Sequence, residues 1–227
     1  MREISLDTET TGLNPKSGHK VVEIGCVEMI NHIATDQYFH VYINPQRDMP
    51  EEAFKIHGLS EEFLSEKPLF KDVADDFLAF IEDSPLVIHN AQFDMGFLNW
   101  ELKEIGKPEL DMARTIDTVP IARKKFPGAQ ANLDALCRRF GIDNSSRELH
   151  GALLDAQLLA DVYLELMGGR QTGLGLGADE EQAADREAEI QVEKRERREA
   201  RVFVPTPEEL AAHEAFLEKI SDPIWKA

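Results

Sequence analysis

Residues 21–30 and 33–43 are two β-rich apolar runs held apart by only Asn31 and His32. A two-residue spacer of this kind predicts a tight hairpin, because its turn must match the twist of the strands on either side. Before it, residues 3–7 alternate, and Thr-, Gly-, Asn- and Pro-punctuated sequence follows to Gly18, so a strand and a loop precede the hairpin. The chain therefore begins as a three-stranded meander. Further on the hydrophobic period changes. Phe70, Val73, Phe77, Phe80 and Ile81 recur at helical spacing, and residues 86–89 form a short apolar run. Two more helical stripes follow, Met95, Leu98, Leu102 and Ile105, then Leu133, Leu136, Cys137 and Phe140. A meander succeeded by alternating helix and strand predicts an α/β sandwich on a mixed sheet.

Composition narrows the function classes. With 42 % hydrophobic residues and two distant cysteines, Cys26 and Cys137, the chain is neither a disordered polymer nor a disulfide scaffold, and both thiols read as small core residues. No apolar run is long enough to span a bilayer and the N-terminus turns acidic too early for a signal peptide, so a cytoplasmic protein without a membrane partner is expected. The net charge is −18, and residues 1–170 alone carry 17 basic against 29 acidic residues, or −12. Phosphate neutralisation by a basic surface normally supplies most nucleic-acid affinity, so any such substrate would need metal or a partner to approach. Arg123-Lys124-Lys125 and Arg138-Arg139 read as solvated helix faces that cannot offset this charge.

Four carboxylates stand out. Asp7 and Glu9 lie two apart at the end of the first strand, so one face carries both. Asp155 shares a helical face with Leu158, Leu159, Val162 and Leu166 in residues 151–167, which points it with the apolar stripe towards the sheet. A buried carboxylate there requires a cation. Asp94 sits at a helix start, where capping is the alternative role. His150 falls on the loop before the 151–167 helix, aimed at the same mouth, and is a candidate general base. Four converging acids suit hard divalent cations such as Mg²⁺ or Mn²⁺. Two ions about 3.5–4 Å apart could serve an in-line phosphoryl displacement.

The series Asp7-x-Glu9, His89-Asn90-x-x-Phe93-Asp94 and His150-x-x-x-x-Asp155, in the contexts DTETTG, HNAQFD and LHGALLDA, resembles the DEDDh branch of the ribonuclease-H-like 3′–5′ exonucleases. The likeness spans roughly residues 3–167 and is greatest to the proofreading members that serve bacterial replicative polymerases. It implies a mixed five-stranded sheet flanked by helices. Asp7, Glu9, Asp94 and Asp155 would be ligands of two metals, and His150 would draw a proton from the attacking water. The substrate would be a DNA 3′ end, released as 5′-mononucleotides. It also implies that Asp7, Thr8, Glu9, Leu13, Glu52, His57, Phe93 and Asp155 meet the terminal nucleotide, with Leu13 wedging against its base. For Leu13 and Phe93 core packing is an equal expectation. A DEDDh exoribonuclease trimming RNA, or an inactive fold kept as a structural polymerase subunit, would share this core.

After residue 168 the texture breaks. Residues 169–201 are Gly-rich, then almost all Ala, Glu, Gln and Arg, which predicts a linker or solvated helix after the 1–168 domain. Within it, Gln171, Leu174 and Leu176 resemble the short peptides by which bacterial replication proteins engage the sliding clamp. Residues 202–227 carry a helix-start signature, Thr206-Pro207-Glu208-Glu209, and a helix to about Ile220 with a thin stripe of Leu210, Leu217 and Ile220 beside Phe216. Val202-Phe203-Val204 and Trp225 add apolar surface. Such a tethered helix fits an apolar groove on a partner, with folding back onto the 1–168 domain as the alternative; the resemblance implies that the partner is the polymerase catalytic subunit, with a small accessory subunit a further expected partner.

Overall fold

The hairpin forms with Asn31 and His32 both in the left-handed region, φ 51° and 69°, as the primed turn that suits twisted strands demands. The computed structural model describes residues 1–145, 149–169 and 205–220. Strand β1 (Arg2–Thr10) pairs antiparallel with β2 (Val21–Ile30), which pairs antiparallel with β3 (Ile33–Tyr42). Two short helices, α1 (Glu51–His57) and α2 (Glu61–Ser65), precede α3 (Phe70–Ile81). Strand β4 (Leu86–Ile88) then runs parallel to β1, and after α4 (Ala91–Glu104) strand β5 (Thr115–Asp117) runs parallel to β4. The sheet order is β3-β2-β1-β4-β5. Helices α5 (Thr118–Lys125), α6 (Leu133–Phe140) and α7 (Ala152–Leu166) complete the layers.

The alternation of β1 decides what lies on each face. Ile4 and Leu6 join Phe77, Met95 and Leu98, so α3 and α4 cover one side. On the other, Met29 and Val87 pack with Leu136, Leu159 and Tyr163 of α6 and α7. The odd residues of β1 face α7. Ser5 Oγ donates to the Ala156 carbonyl at 2.7 Å, and Tyr163 donates its hydroxyl to Glu3 Oε1 at 3.0 Å. Each large apolar side chain removed from water here contributes about 1.5–3 kcal/mol. Cys26 and Cys137 are buried thiols, as expected.

Several boundaries differ from expectation. The third strand ends at Tyr42 and the fourth at Ile88, so His89 leaves the sheet and opens the turn into α4. The helix expected over residues 151–167 spans Ala152–Leu166, with Gly151 as an extended N-cap. Lys125 is not merely solvated: its Nζ donates to the Glu165 and Leu166 carbonyls at 2.7 and 2.9 Å, satisfying the free end of α7. Arg139 lies 4.4 Å over the Phe126 ring.

The chain divides into two units, Met1–Gly173 and Leu174–Ala227. In the second, α8 (Pro207–Leu217) starts as the sequence requires: the Thr206 hydroxyl accepts from the Glu209 N–H, and Glu209 accepts from the Thr206 N–H at 2.7 Å. It stops before the expected Ile220. Leu210 and Phe216 are exposed, whereas Leu217 is buried. Residues 202–204 and Trp225 lie outside the described residues.

Candidate active site

The site is built at the carboxyl end of β1. Asp7 and Glu9 leave that strand on the side of α7, and the close approach of α7 depends on Gly25, the partner of Asp7 in the β1–β2 ladder. A Cβ on Gly25 would lie 2.3 Å from both the carbonyl carbon of Ala152 and the amide nitrogen of Leu153. Only glycine lets two backbones meet this way. Asp155, in the first turn of α7, is thereby brought to Glu9. Glu9, His150 and Asp155 each present one potential ligand atom, all within 4.8 Å of one another. Glu9 and Asp155 are buried; His150 is on the loop before α7, half-exposed, with Nδ1 3.4 Å from Asp155 Oδ2. The His150 N–H donates to the Ile56 carbonyl at 3.0 Å, so α1 holds that loop in place. Asp7 borders a cleft of about 220 Å³ together with His89, Asn132, Asp134, His150 and Asp155.

Asp94 arrives from the opposite face of the sheet. It does not cap its helix. Asn90 holds the N-cap position and Asp94 is the fourth helical residue, where its Oδ1 accepts from the Thr8 N–H at 3.0 Å and from the Thr8 hydroxyl at 2.7 Å. Burial pushes the Asp94 carboxyl up to about 7 despite both bonds, and the nearby Asp117 carboxylate acts in the same direction. A buried acid in that condition gains most from a cation. With oxygen donors from Glu9, Asp94 and Asp155 and one imidazole close by, the residues fit a hard divalent metal.

A second cleft of about 440 Å³ adjoins the carboxylates, bordered by Glu9, Leu13, Glu52, His57 and Phe93. Leu13 is 85 % exposed on the loop after β1, which removes the core-packing alternative for it. Phe93 does both: it packs on the core, 5.1 Å from the Phe97 ring, and borders the cleft. Glu52 is exposed in the first turn of α1. His57 is turned inward. Its Nδ1 accepts from the Leu59 N–H at 3.1 Å and its Nε2 is buried, and burial lowers its pKa while the Glu23 carboxylate opposes that shift. Gln171, Leu174 and Leu176 lie outside the described residues.

Three neighbours were not anticipated. Gly25 gives no local signal in a strand-forming run. His89 lies within the HNAQFD segment, where the resemblance implies no role for it; burial lowers its pKa, and the carboxylates of Asp117 and Asp155 oppose this. Asp117 ends a three-residue strand that periodicity cannot detect.

Comparison with known proteins follows the same lines. The family model described as Exonuclease (RNase_T) matches residues 4–163. DNA polymerase III subunit epsilon of Rickettsia conorii is 55 % identical over 223 residues, 97 % of this chain and 96 % of that protein. The protein of the same name from Escherichia coli is 46 % identical over 239 residues, covering 100 % and 98 %. Among solved structures, Exonuclease X in complex with 5′ overhanging duplex DNA has a TM-score of 0.56 at 27 % identity, over 73 % of this chain and 90 % of that chain. The nuclease domain of 3′hExo, a DEDDh family member bound to rAMP, has a TM-score of 0.64 at 17 % identity, over 73 % and 91 %, and shows the shared fold. Binding of divalent metal ions is characteristic of such exonucleases, and among the described residues no helix is long and apolar enough to cross a membrane. With Glu9, His150 and Asp155 gathered at one strand end, Asp94 tied to Thr8 of the same strand, and relatives matched along nearly its whole length, the chain belongs to the RNase T exonuclease family and, within it, to the epsilon subunits of DNA polymerase III.

Proposed function

We propose that this chain is the proofreading 3′–5′ exonuclease of a replicative DNA polymerase III, removing mispaired 3′-terminal nucleotides as 5′-mononucleotides with two divalent cations, Mg²⁺ or Mn²⁺. The observation that carries this reading is the gathering of Glu9, His150 and Asp155 within 4.8 Å at the end of the strand whose Thr8 also holds Asp94. Asp7, Glu9, Asp94 and Asp155 are the residues that would hold the ions. Bound there, the ions supply Lewis acidity to the scissile phosphodiester and offset the charge on its oxygens.

The chain's own groups do the rest. His150, half-exposed at the mouth, takes the proton of the attacking water on its ring. Leu13, exposed beside the larger cleft, wedges against the terminal base, and Phe93, which borders the same cleft, stacks on that nucleotide. Glu52 and His57 border that cleft, with Thr8 buried beneath it on Asp94; with its Nε2 buried, His57 supports the shape of the cleft more than it offers a donor. A mismatched terminus separates from its duplex at lower cost, by up to a few kcal/mol, so selectivity requires no contact with the mismatch itself.

The −12 charge of residues 1–170 gives the chain little basic surface with which to hold DNA by itself, so it engages free 3′ ends weakly through the metal site. We assign delivery to the polymerase: residues 202–227 dock on the alpha catalytic subunit, residues 171–176 engage the sliding clamp, and a small accessory subunit completes the set, in the cytoplasm. An RNA trimmer has no need of the region after residue 168, and the relatives named as epsilon subunits match 97 % of the chain, which favours the polymerase assignment. An inactive structural subunit would not keep all five site residues. The test is incubation of the purified chain with Mg²⁺ or Mn²⁺ and 3′-mismatched DNA, matched DNA or RNA of equal length. Mononucleotides should appear first from mismatched DNA; RNA degraded first would establish the exoribonuclease, and no product from any substrate the structural subunit.

A further inference from the structure

We propose that Asp117 is a positioning residue for this reaction: its carboxylate fixes the turn between β4 and α4 and thereby the place of Asp94, an inference that rests on Asp94 being a metal ligand. Asp117 ends β5, beside Ile88 at the end of β4 in the parallel pair. Its Oδ1 accepts from the Val119 N–H at 2.9 Å and from the Asn90 N–H at 3.1 Å, while Oδ2 accepts from the Ala91 N–H at 3.2 Å. One side chain therefore serves two helix starts. The bond to Val119 is the ordinary N-cap of α5, its own helix. The other two reach across to α4, whose N-cap residue Asn90 makes no side-chain cap bond and sits in the left-handed region at φ 71°, ψ 56°.

Asn tolerates that conformation better than other non-glycine residues, but it still holds a fixed place there only with support from its surroundings. Here a carboxylate from the neighbouring strand gives that support. A second tie joins the same two turns, His89 Nδ1 lying 2.8 Å from Thr118 Oγ1. Asp94 follows Asn90 by about one helical turn, so a tilt at the start of α4 displaces the acid that Thr8 must meet from the other side. The chemistry calls for a carboxylate in particular. Both oxygens are used as acceptors for three N–H groups, which an amide with one oxygen cannot reproduce. Stability alone is a poor reason for this acid, since its charge also disfavours ionisation of buried Asp94.

The two roles separate by substitution in the full chain. Asp117→Ser keeps a hydroxyl able to cap α5 but cannot reach both N–H groups of α4; Asp117→Asn keeps one acceptor and sets an NH₂ against a donor. Mn²⁺ binding without DNA, followed by electron paramagnetic resonance, should weaken about tenfold in both, the range seen when residues supporting a metal ligand are changed. The kcat on 3′-mismatched DNA should fall more than KM changes. Ser60→Ala, which removes the cap of α2, should lower the melting temperature without moving Mn²⁺ binding. Mn²⁺ binding and kcat within twofold of wild type in folded Asp117→Ser would overturn the proposal and leave Asp117 a helix cap. If Asp94→Asn itself left Mn²⁺ binding unchanged, the ligand assignment would be at fault and the proposal would fall with it.

Discussion

Thr8 donates both its backbone N–H and its hydroxyl to a single oxygen of Asp94, at 3.0 and 2.7 Å. Because Thr8 stands between Asp7 and Glu9, this pair ties the acid of α4 to the two acids of β1 across the plane of the sheet. The carboxylates are thus set in place by the fold before any cation arrives, at the cost of burying Asp94 among other acids.

That cost sets the first prediction. The folded pKa of Asp94 is raised above its unfolded value, so the native state binds the extra proton and stability falls as pH climbs from about 4 through about 7. Asp94→Asn keeps an oxygen for Thr8 but has no charge to bury. In EDTA, the variant should melt higher than wild type at pH 8, by at most a few kcal/mol in stability, with the gap closing towards pH 4. A gap that is independent of pH would contradict the assigned strain.

Gly25→Ala places a methyl group where the backbone of Ala152 and Leu153 already lies. Helix α7 must move outward and take Asp155 and His150 with it. A displacement near 1 Å can cost about a hundredfold in rate. Single-turnover hydrolysis should fall by that order while circular dichroism still reports a folded chain, and near-normal turnover would mean that α7 does not set the site.

Asp7→Ala and Asp155→Ala should each remove nearly all hydrolysis yet leave the fold intact, since loss of one acid relieves repulsion among the others. Activity above about a tenth of wild type at saturating metal, a drop of only about 1.4 kcal/mol in transition-state stabilisation, would argue against their assignment as ligands.

For His150 the question is base or ligand, because its ring lies among the potential ligand atoms. His150→Ala should lower kcat by about 10²–10⁴ and remove the rise in rate with pH that a general base imposes. Metal affinity should change far less. Parallel loss of Mn²⁺ binding would instead make His150 a ligand.

Truncation after Gly177 should leave hydrolysis of free 3′ ends unchanged but abolish co-purification with the polymerase catalytic subunit. Clamp binding by the intact chain should fail when Gln171→Ala and Leu174→Ala are combined. Full polymerase affinity in the truncated chain would move that contact to the catalytic domain.

What could be read from the sequence was local or periodic. The turn at Asn31-His32 and the capping box at Thr206 and Glu209 are settled by neighbours within four residues, so both formed as expected. The stripe Leu158, Leu159, Val162 and Leu166 turned Asp155 inwards, because a 3.6-residue period fixes which side chains share a face. What periodicity could not supply was distance between elements remote in the chain. Placing β5 beside β4 put Asp117 under the start of α4, and the missing side chain of Gly25 let α7 lie against β2. Leu13 shows the same division: its residue type suits a core as well as a wedge, and only the path of the loop after β1 leaves it exposed. Spacing along the chain identified the acids, and close packing of strands and helices decided how near one another they stand, because burial and backbone approach are properties of the assembled layers and not of any segment alone.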